Sequence, residues 1–283
     1  MIIATDTASD ILSSEAEAMD VAIIPLEITF GDEVFRHNTP ESLDLFYRML
    51  AERDDFPTTS QPNPGVFLEL IETAKQADED LVIITISSGL SGTFSCACMA
   101  AEMSGYADRV HVVDSQAAII PQHILVETAV SMRDSGCSCT QTVEALMRLR
   151  ERTKVFGMPD SLTYLKRGGR IPPAMATVGN LLSIKPIIAV KDGVLESVAK
   201  ARGIKGAKAE LWKILDQARI DPQSPLFLGY SEDPALAEGF RDETIERFGW
   251  QDREVRMYRI SGAVGAHLGP GCIAVGYIEA KQG

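Results

Sequence analysis

One stretch constrains the fold more than any other: Asp80-Leu81-Val82-Ile83-Ile84-Thr85-Ile86-Ser87-Ser88-Gly89-Leu90-Ser91-Gly92-Thr93. Leu81 to Ile86 is a short apolar run rich in β-branched residues, which reads as a strand buried on both faces. A Ser/Gly turn follows at once. Thr93 to Ser104 then has Phe94, Ala97, Cys98 and Ala101 at helical spacing. Strand, small-residue loop and helix N-terminus bring free N–H groups and the positive end of a dipole together, a setting that receives an anion. Hydroxyls at Ser87, Ser88, Ser91 and Thr93 add donors. The loop holds no Lys and no GxxxxGK[ST], which argues against a nucleoside triphosphate and for a single-headed anion, carboxylate or phosphate. The alternative is an ordinary βα turn whose Ser and Thr only cap the helix.

The rest of the chain repeats the alternation. Strands are predicted at Ile2–Asp6, over the apolar run Val21–Phe30, where Pro25 makes an edge or a break, and at Arg109–Asp114. Helices are predicted at Pro40–Arg53, Val66–Lys75, Ile124–Ser135 and Thr140–Thr153. Phe56 to Gly65 carries three prolines and a glycine and reads as a loop. The first half is therefore a parallel, doubly wound sheet. The pattern changes near residues 153–158. Beyond it come a short helix ending in the basic turn Lys166-Arg167-Gly168-Gly169-Arg170, then Val178–Ser183 and Lys185–Val190 leading into a hairpin at Lys191-Asp192-Gly193. Val194–Lys200 returns, followed by a helix over Lys205–Ala218, a strand at Leu226–Tyr230, a helix at Ala235–Phe248, and strands at Glu254–Arg259 and Ile273–Ile278. This gives two α/β domains, residues 1–155 with a parallel Rossmann-like sheet and 156–283 with a mixed sheet.

At 283 residues the chain has room for two buried cores. Its net charge of −13 argues against general nucleic-acid or anionic-membrane binding, so any anionic ligand is held by local donors against the overall field. No apolar run is long enough to cross a bilayer, and the chain opens directly in a strand with no signal peptide, so a cytoplasmic location is expected. The five Cys, with CxC rather than CxxC spacings, match no zinc or redox motif and read as free thiols. No HExxH, EF-hand, Rossmann glycine fingerprint or GxSxG elbow occurs. His267, in Gly265-Ala266-His267-Leu268-Gly269-Pro270-Gly271, is expected on a loop. With Ser91 or Ser88 it could form the pair that a serine hydrolase or acyltransferase needs.

Read together, the motifs Thr5-Asp6-Thr7, Thr59-Ser60-Gln61-Pro62, Ser87-Ser88-Gly89-Leu90-Ser91-Gly92-Thr93, Asp114-Ser115, Leu165-Lys166-Arg167-Gly168-Gly169-Arg170-Ile171, Ile184-Lys185-Pro186-Ile187 and His267-Leu268-Gly269-Pro270-Gly271 occur in an order that resembles the DegV family, the fatty acid-binding (FakB) subunits of bacterial fatty acid kinase. The resemblance implies a two-domain α/β carrier without a cofactor that buries one long-chain fatty acid in a tunnel between its domains. A separate kinase subunit phosphorylates the carboxylate to an acyl phosphate for phospholipid synthesis, with a downstream acyltransferase as a further partner. It carries the carboxylate ligands over to Thr59 and Ser91, with Ser60, Ser88 and Thr93 beside them, and the head-group histidine to His267. The kinase and phosphate side carries over to Arg170 and Arg202. The sequence departs from the family after Asp114-Ser115. A Ser/Gly-rich turn is usual there, and this chain has Gln116-Ala117-Ala118-Ile119-Ile120-Pro121, which places Ala118 and Ile119 near the acyl chain.

Overall fold

The computed structural model describes residues 1–36, 38–171 and 184–281. The strand expected over 178–183 lies outside the described residues. The first sheet has the order β2-β1-β6-β7, from β1 (Ile2–Asp6), β2 (Val21–Ile24), β6 (Leu81–Thr85) and β7 (Val110–Asp114), all parallel. Helices cover both of its faces, which is why every residue of β6 is buried. On one face, α5 (Ile120–Asp134) and α6 (Cys139–Arg150) bury Ile3, Val82, Ile84 and Val113; on the other, α3 (Pro64–Gln76) and α4 (Thr93–Met103) bury Ala4, Leu81 and Ile83.

Pro25 divides the second apolar run as its missing N–H requires. Past it, β3 (Glu27–Phe30) leaves the parallel sheet and pairs with β4 (Glu33–Phe35) and β5 (Thr58–Ser60). The proline-rich stretch from 56 to 65 is thus not wholly irregular: Thr58, Thr59 and Ser60 form a short strand, with Thr59 opposite Ile28. The helix α2 (Pro40–Glu52) packs its Leu43, Phe46, Tyr47 and Leu50 face inward.

The second sheet has the order β10-β9-β8-β13-β11-β12 and is mixed. Its strands are β8 (Thr153–Met158), β9 (Ile184–Lys191), β10 (Val194–Arg202), β11 (Leu226–Tyr230), β12 (Val255–Arg259) and β13 (Ile273–Ile278). Only Glu151 and Arg152 separate α6 from β8, so the expected boundary at 155/156 falls inside a strand that pairs with β13 along its whole length. The Asp192-Gly193 hairpin forms with positive φ at both residues, 49° and 79°. Two helices, α8 (Gly203–Gln217) and α9 (Ala235–Phe248), cover the outer face, packing Leu211, Leu215 and Phe240 on Met158, Ile187 and Leu228.

The inner face of the second sheet meets the first domain in the largest core, where Ile86, Ile119 and Ile120 pack with Val155, Ile188, Phe227 and Ala274. Polar bonds also join the two domains. The Ser261 N–H donates to Asp10 at 2.7 Å, the Tyr47 hydroxyl to the Ile260 carbonyl at 2.9 Å and the Ser87 hydroxyl to the Gly193 carbonyl at 2.6 Å.

Three local expectations are corrected. His267 lies in the last turn of a helix, α10 (Gly262–Leu268). Its glycines are there for close approach: a Cβ on Gly262 would stand 2.8 Å from Ile28 Cδ1, and one on Gly265 2.4 Å from the Tyr47 hydroxyl. The helix α5 begins at Ile120 rather than Ile124, because Pro121 suits a first turn and the Ile119 N–H is taken by the Ala8 carbonyl at 2.7 Å. Arg202 is the last residue of β10, paired with Ile184, rather than a loop residue, and α8 starts directly after it.

Candidate functional site

An apolar cavity of about 100 Å³ lies between the domains. Leu26, Ile86, Leu90, Ala118 and Ile119 line it from the first domain, and Val155, Gly157, Leu165, Ile188, Ala189, Val264 and Leu268 from the second. The polar lining side chains are Thr59, Ser60, Gln61, Ser91, Arg170 and His267. The Thr59 hydroxyl and His267 Nε2 are 2.8 Å apart. Gln61 lies over the backbone of Gly92, beside Ser91: a Cβ on that glycine would clash with its amide oxygen. Arg170 reaches the Leu90 carbonyl at 3.4 Å and the Gly168 carbonyl at 2.6 Å. Among the described residues no carboxylate pairs with Arg170, so its charge is free to serve a ligand.

Backbone placement explains this cluster. The β3–β5 pairing sets Thr59 at the edge of the seam, and α10 brings His267 to it from the other domain. Asp6 pins the start of the hydroxyl loop by accepting the Ile86 N–H at 2.7 Å. Burial raises the Asp6 carboxyl to about 6, against the lowering effect of its bonds to Ile86, Gln122 and Ala8. The Ser91 hydroxyl is 2.8 Å from that of Thr93 and accepts the Thr93 N–H at 3.3 Å, so Thr93 lies behind Ser91 and orients it. His267 is held down to about 4, first by burial and then by the neighbouring Arg170 charge, so its ring is neutral near pH 7. Its Nδ1 has no protein partner and faces the backbone of Gly168. With the proton on Nε2, His267 donates to Thr59 and leaves the Thr59 hydroxyl proton free to point into the cavity.

Of the residues expected at the head group, Thr59, Ser60, Ser91 and His267 are brought together, and Thr93 supports Ser91. Ser88 is not among them. It is exposed, and its hydroxyl donates to Asp114 at 2.6 Å, because the turn directs alternate side chains to opposite sides. No hydrogen bond joins Ser88 or Ser91 to His267, whose Nε2 is engaged by Thr59. Ala118, Ile119 and Arg170 all lie in the cavity wall. Arg202 is exposed at the end of β10 far from the hairpin turn and is not part of the cavity wall. Gln61 belongs to a motif singled out in the sequence but was not expected as a lining residue. Leu165 stands in a motif singled out in the sequence but was not expected in the wall, and Val264 was not singled out, since their approach to the seam depends on how the domains dock.

Fold and site together define a two-domain α/β protein with an apolar cavity at the domain interface, into which a small set of polar side chains is gathered. The family model described as "Uncharacterised protein, DegV family" matches residues 1–280, and the chain belongs to the DegV family. The DegV domain-containing protein YteA of Lactococcus lactis is 34% identical over 287 residues, covering 99% of this chain and 98% of that protein. A fatty acid-binding DegV family protein from Thermus thermophilus superimposes with a TM-score of 0.85 at 29% identity, covering 98% of this chain and 99% of that one. A stearic acid-binding protein from Eubacterium ventriosum superimposes with a TM-score of 0.86 at 26% identity, covering 99% and 98%. Among the described residues of this chain, no helix is long and apolar enough to cross a membrane.

Proposed function

We propose that this chain is a fatty acid carrier that holds one acyl chain in the interdomain cavity, with its carboxylate at the Thr59, Ser91 and His267 end. One observation supports this above all: the lining is apolar apart from six polar side chains, of which Thr59 is bonded to His267 while Arg170 and Gln61 lie against the Leu90–Gly92 backbone beside Ser91. An alkyl chain gains roughly 0.8 kcal/mol per buried CH₂, so the apolar wall supplies affinity and the polar end supplies orientation. The Thr59 and Ser91 hydroxyls donate to the carboxylate, the neutral His267 orients Thr59, and Arg170 offsets the negative charge. The fatty acid-binding relatives from Thermus thermophilus and Eubacterium ventriosum support the same reading.

The polar end opens beside exposed Ser60, Gln61 and Arg170. In this reading a separate kinase subunit approaches there and phosphorylates the carboxylate, Arg170 and Arg202 meet that subunit or the phosphate, and the carrier alone has no activity. The acyl phosphate then passes to an acyltransferase. A serine hydrolase or acyltransferase has less support, because His267 is engaged by Thr59 and Ser88 by Asp114.

Titration of a fluorescent fatty acid into Thr59→Ala and Ser91→Ala tests the head-group assignment. Loss of one hydrogen bond to a charged group costs about 1.5–3 kcal/mol, so each variant should bind roughly 10- to 150-fold more weakly at unchanged melting temperature. Wild-type affinity in both variants overturns the assignment.

A further inference from the structure

The basic turn Lys166-Arg167-Gly168-Gly169-Arg170 supplies Arg170 to the cavity, but that role explains neither of its glycines. The two are glycine for opposite reasons. Gly169 has a φ of 70°, and a Cβ there would meet nothing within 4 Å, so its backbone needs the freedom and the space around it is open. Gly168 has φ −74° and ψ −5°, a right-handed backbone that other residues adopt. What it lacks is room. A Cβ on Gly168 would stand 2.1 Å from His267 Nδ1 and 2.7 Å from Cε1.

The turn is held on several sides. It ends the short helix α7 (Thr163–Arg167), and the Gly168 N–H donates to the Tyr164 carbonyl at 2.8 Å. Leu165 is fully buried in the interdomain core. The Tyr164 ring lies so close to Gly269 that a Cβ there would stand 2.3 Å from Tyr164 Cδ2. Arg167 sits over the Phe56 ring at 3.7 Å. The His267 imidazole has less to hold it: its Nε2 makes one bond, at 2.8 Å to Thr59, and its Nδ1 has no protein partner. A side chain at position 168 therefore displaces the ring rather than the turn, and the Thr59 bond goes with the ring.

We propose that Gly168 is a positioning residue of the head-group site: its missing side chain lets the His267 ring lie against the turn, so that Nε2 reaches Thr59 and the Thr59 hydroxyl is presented to a carboxylate. Gly168 thereby sets the preference of the site for a free acid over a neutral head group on the same chain. This rests on the fatty acid reading above.

The test compares the saturated sixteen-carbon acid with the sixteen-carbon alcohol, each titrated by displacement of a fluorescent fatty acid. In Gly168→Ala the acid should weaken about tenfold or more and the alcohol by less than about threefold, because a hydrogen bond to a charged group is worth more than one to a neutral group. His267 gives a spectroscopic signature. In wild type its ring, buried beside Arg170, stays neutral down to about pH 4; in Gly168→Ala its NMR titration should move toward the ordinary value of 6.5 as the ring leaves its seat. Gly169→Ala separates this from a general effect on the turn: it should lower the melting temperature through its positive φ and leave the acid-to-alcohol preference within about twofold of wild type. Gly168→Ala/His267→Ala removes the obstructing ring, so it should fold and bind the acid within about twofold of His267→Ala alone. Wild-type acid affinity and an unmoved His267 titration in Gly168→Ala overturn the proposal. So does a double variant that loses a further tenfold beyond His267→Ala, or one that fails to fold, since the ring would then not be what the glycine accommodates. A wild-type protein that binds neither acid nor alcohol rejects the carrier reading instead, while the His267 titration still reports on the seat.

Discussion

Gly265→Ala should cost this protein far more than its size suggests. The new Cβ would stand 2.4 Å from the Tyr47 hydroxyl and 3.0 Å from its Cζ. Tyr47 cannot step aside. It is 1% exposed, its hydroxyl is bonded to the Ile260 carbonyl, and its ring is held edge-on by Phe46 at 5.2 Å with Arg259 over it at 5.3 Å. Relieving the clash needs a shift on the order of 1 Å, and overpacking of this kind costs about 1–3 kcal/mol. Losing the Tyr47–Ile260 bond inside the core adds about 1–3 kcal/mol, and the better helix propensity of Ala returns about 1 kcal/mol. The net is about 3 kcal/mol, or roughly 6–12 °C in melting temperature for a chain of this length. His267 follows two residues later on the same helix, so fatty acid affinity should fall with stability. Gly239→Ala is the control: it lies within α9, where a Cβ meets nothing within 4 Å, and should be neutral or stabilise by up to about 1 kcal/mol. Calorimetry and a fatty acid titration on both variants decide the matter. A Gly265→Ala protein as stable as wild type would refute the account of how α10 is seated.

Further outcomes are expected. Ser88→Ala should bind fatty acid as wild type does, because its hydroxyl serves Asp114; a loss comparable to that of Thr59→Ala contradicts this placement. Burial lowers His123 and His267 from 6.5 to about 4, so their contribution to stability is fully present above pH 6.5 and is lost as pH falls toward 4. Asp10 runs the other way: burial raises it from 3.8 to about 8, so its contribution is complete below pH 3.8 and is lost as pH rises to about 8. Urea unfolding of Asp10→Asn between pH 6 and 8 should give a flatter stability profile than wild type, and a parallel profile would contradict the sign. Arg202→Ala should leave lipid affinity and melting unchanged and raise the apparent KM for the carrier in an assay with a fatty acid kinase subunit of the kind proposed above. Wild-type kinetics there would reject a docking role for this exposed arginine.

Much of the fold was legible because local patterns and tertiary placement agree. The buried run Leu81–Thr85, the Asp192-Gly193 hairpin and the break at Pro25 each follow from one strong local cause, and each forms as the sequence suggests. Legibility fails where a long-range contact overrides local chemistry. Gly265 looks like a loop residue in sequence, yet it lies in a helix, packed so closely on Tyr47 that a Cβ would not fit. Thr58 to Ser60 become a strand only because β3 offers an edge across a long separation. The hydroxyl loop was visible, but which of its serines faces the cavity depends on Asp114 capturing Ser88. Gln61 and Leu165 became lining residues only when the domains docked, and no local pattern encodes that.

The carrier account meets its most direct test in native mass spectrometry of the intact, undenatured protein after exposure to a mixture of fatty acids. The account predicts a one-to-one complex whose added mass is that of a free fatty acid, released on denaturation and recovered by lipid extraction. An added mass that survives denaturation as an acyl ester on Ser91 or Ser88, or no bound acid in any preparation, would contradict it.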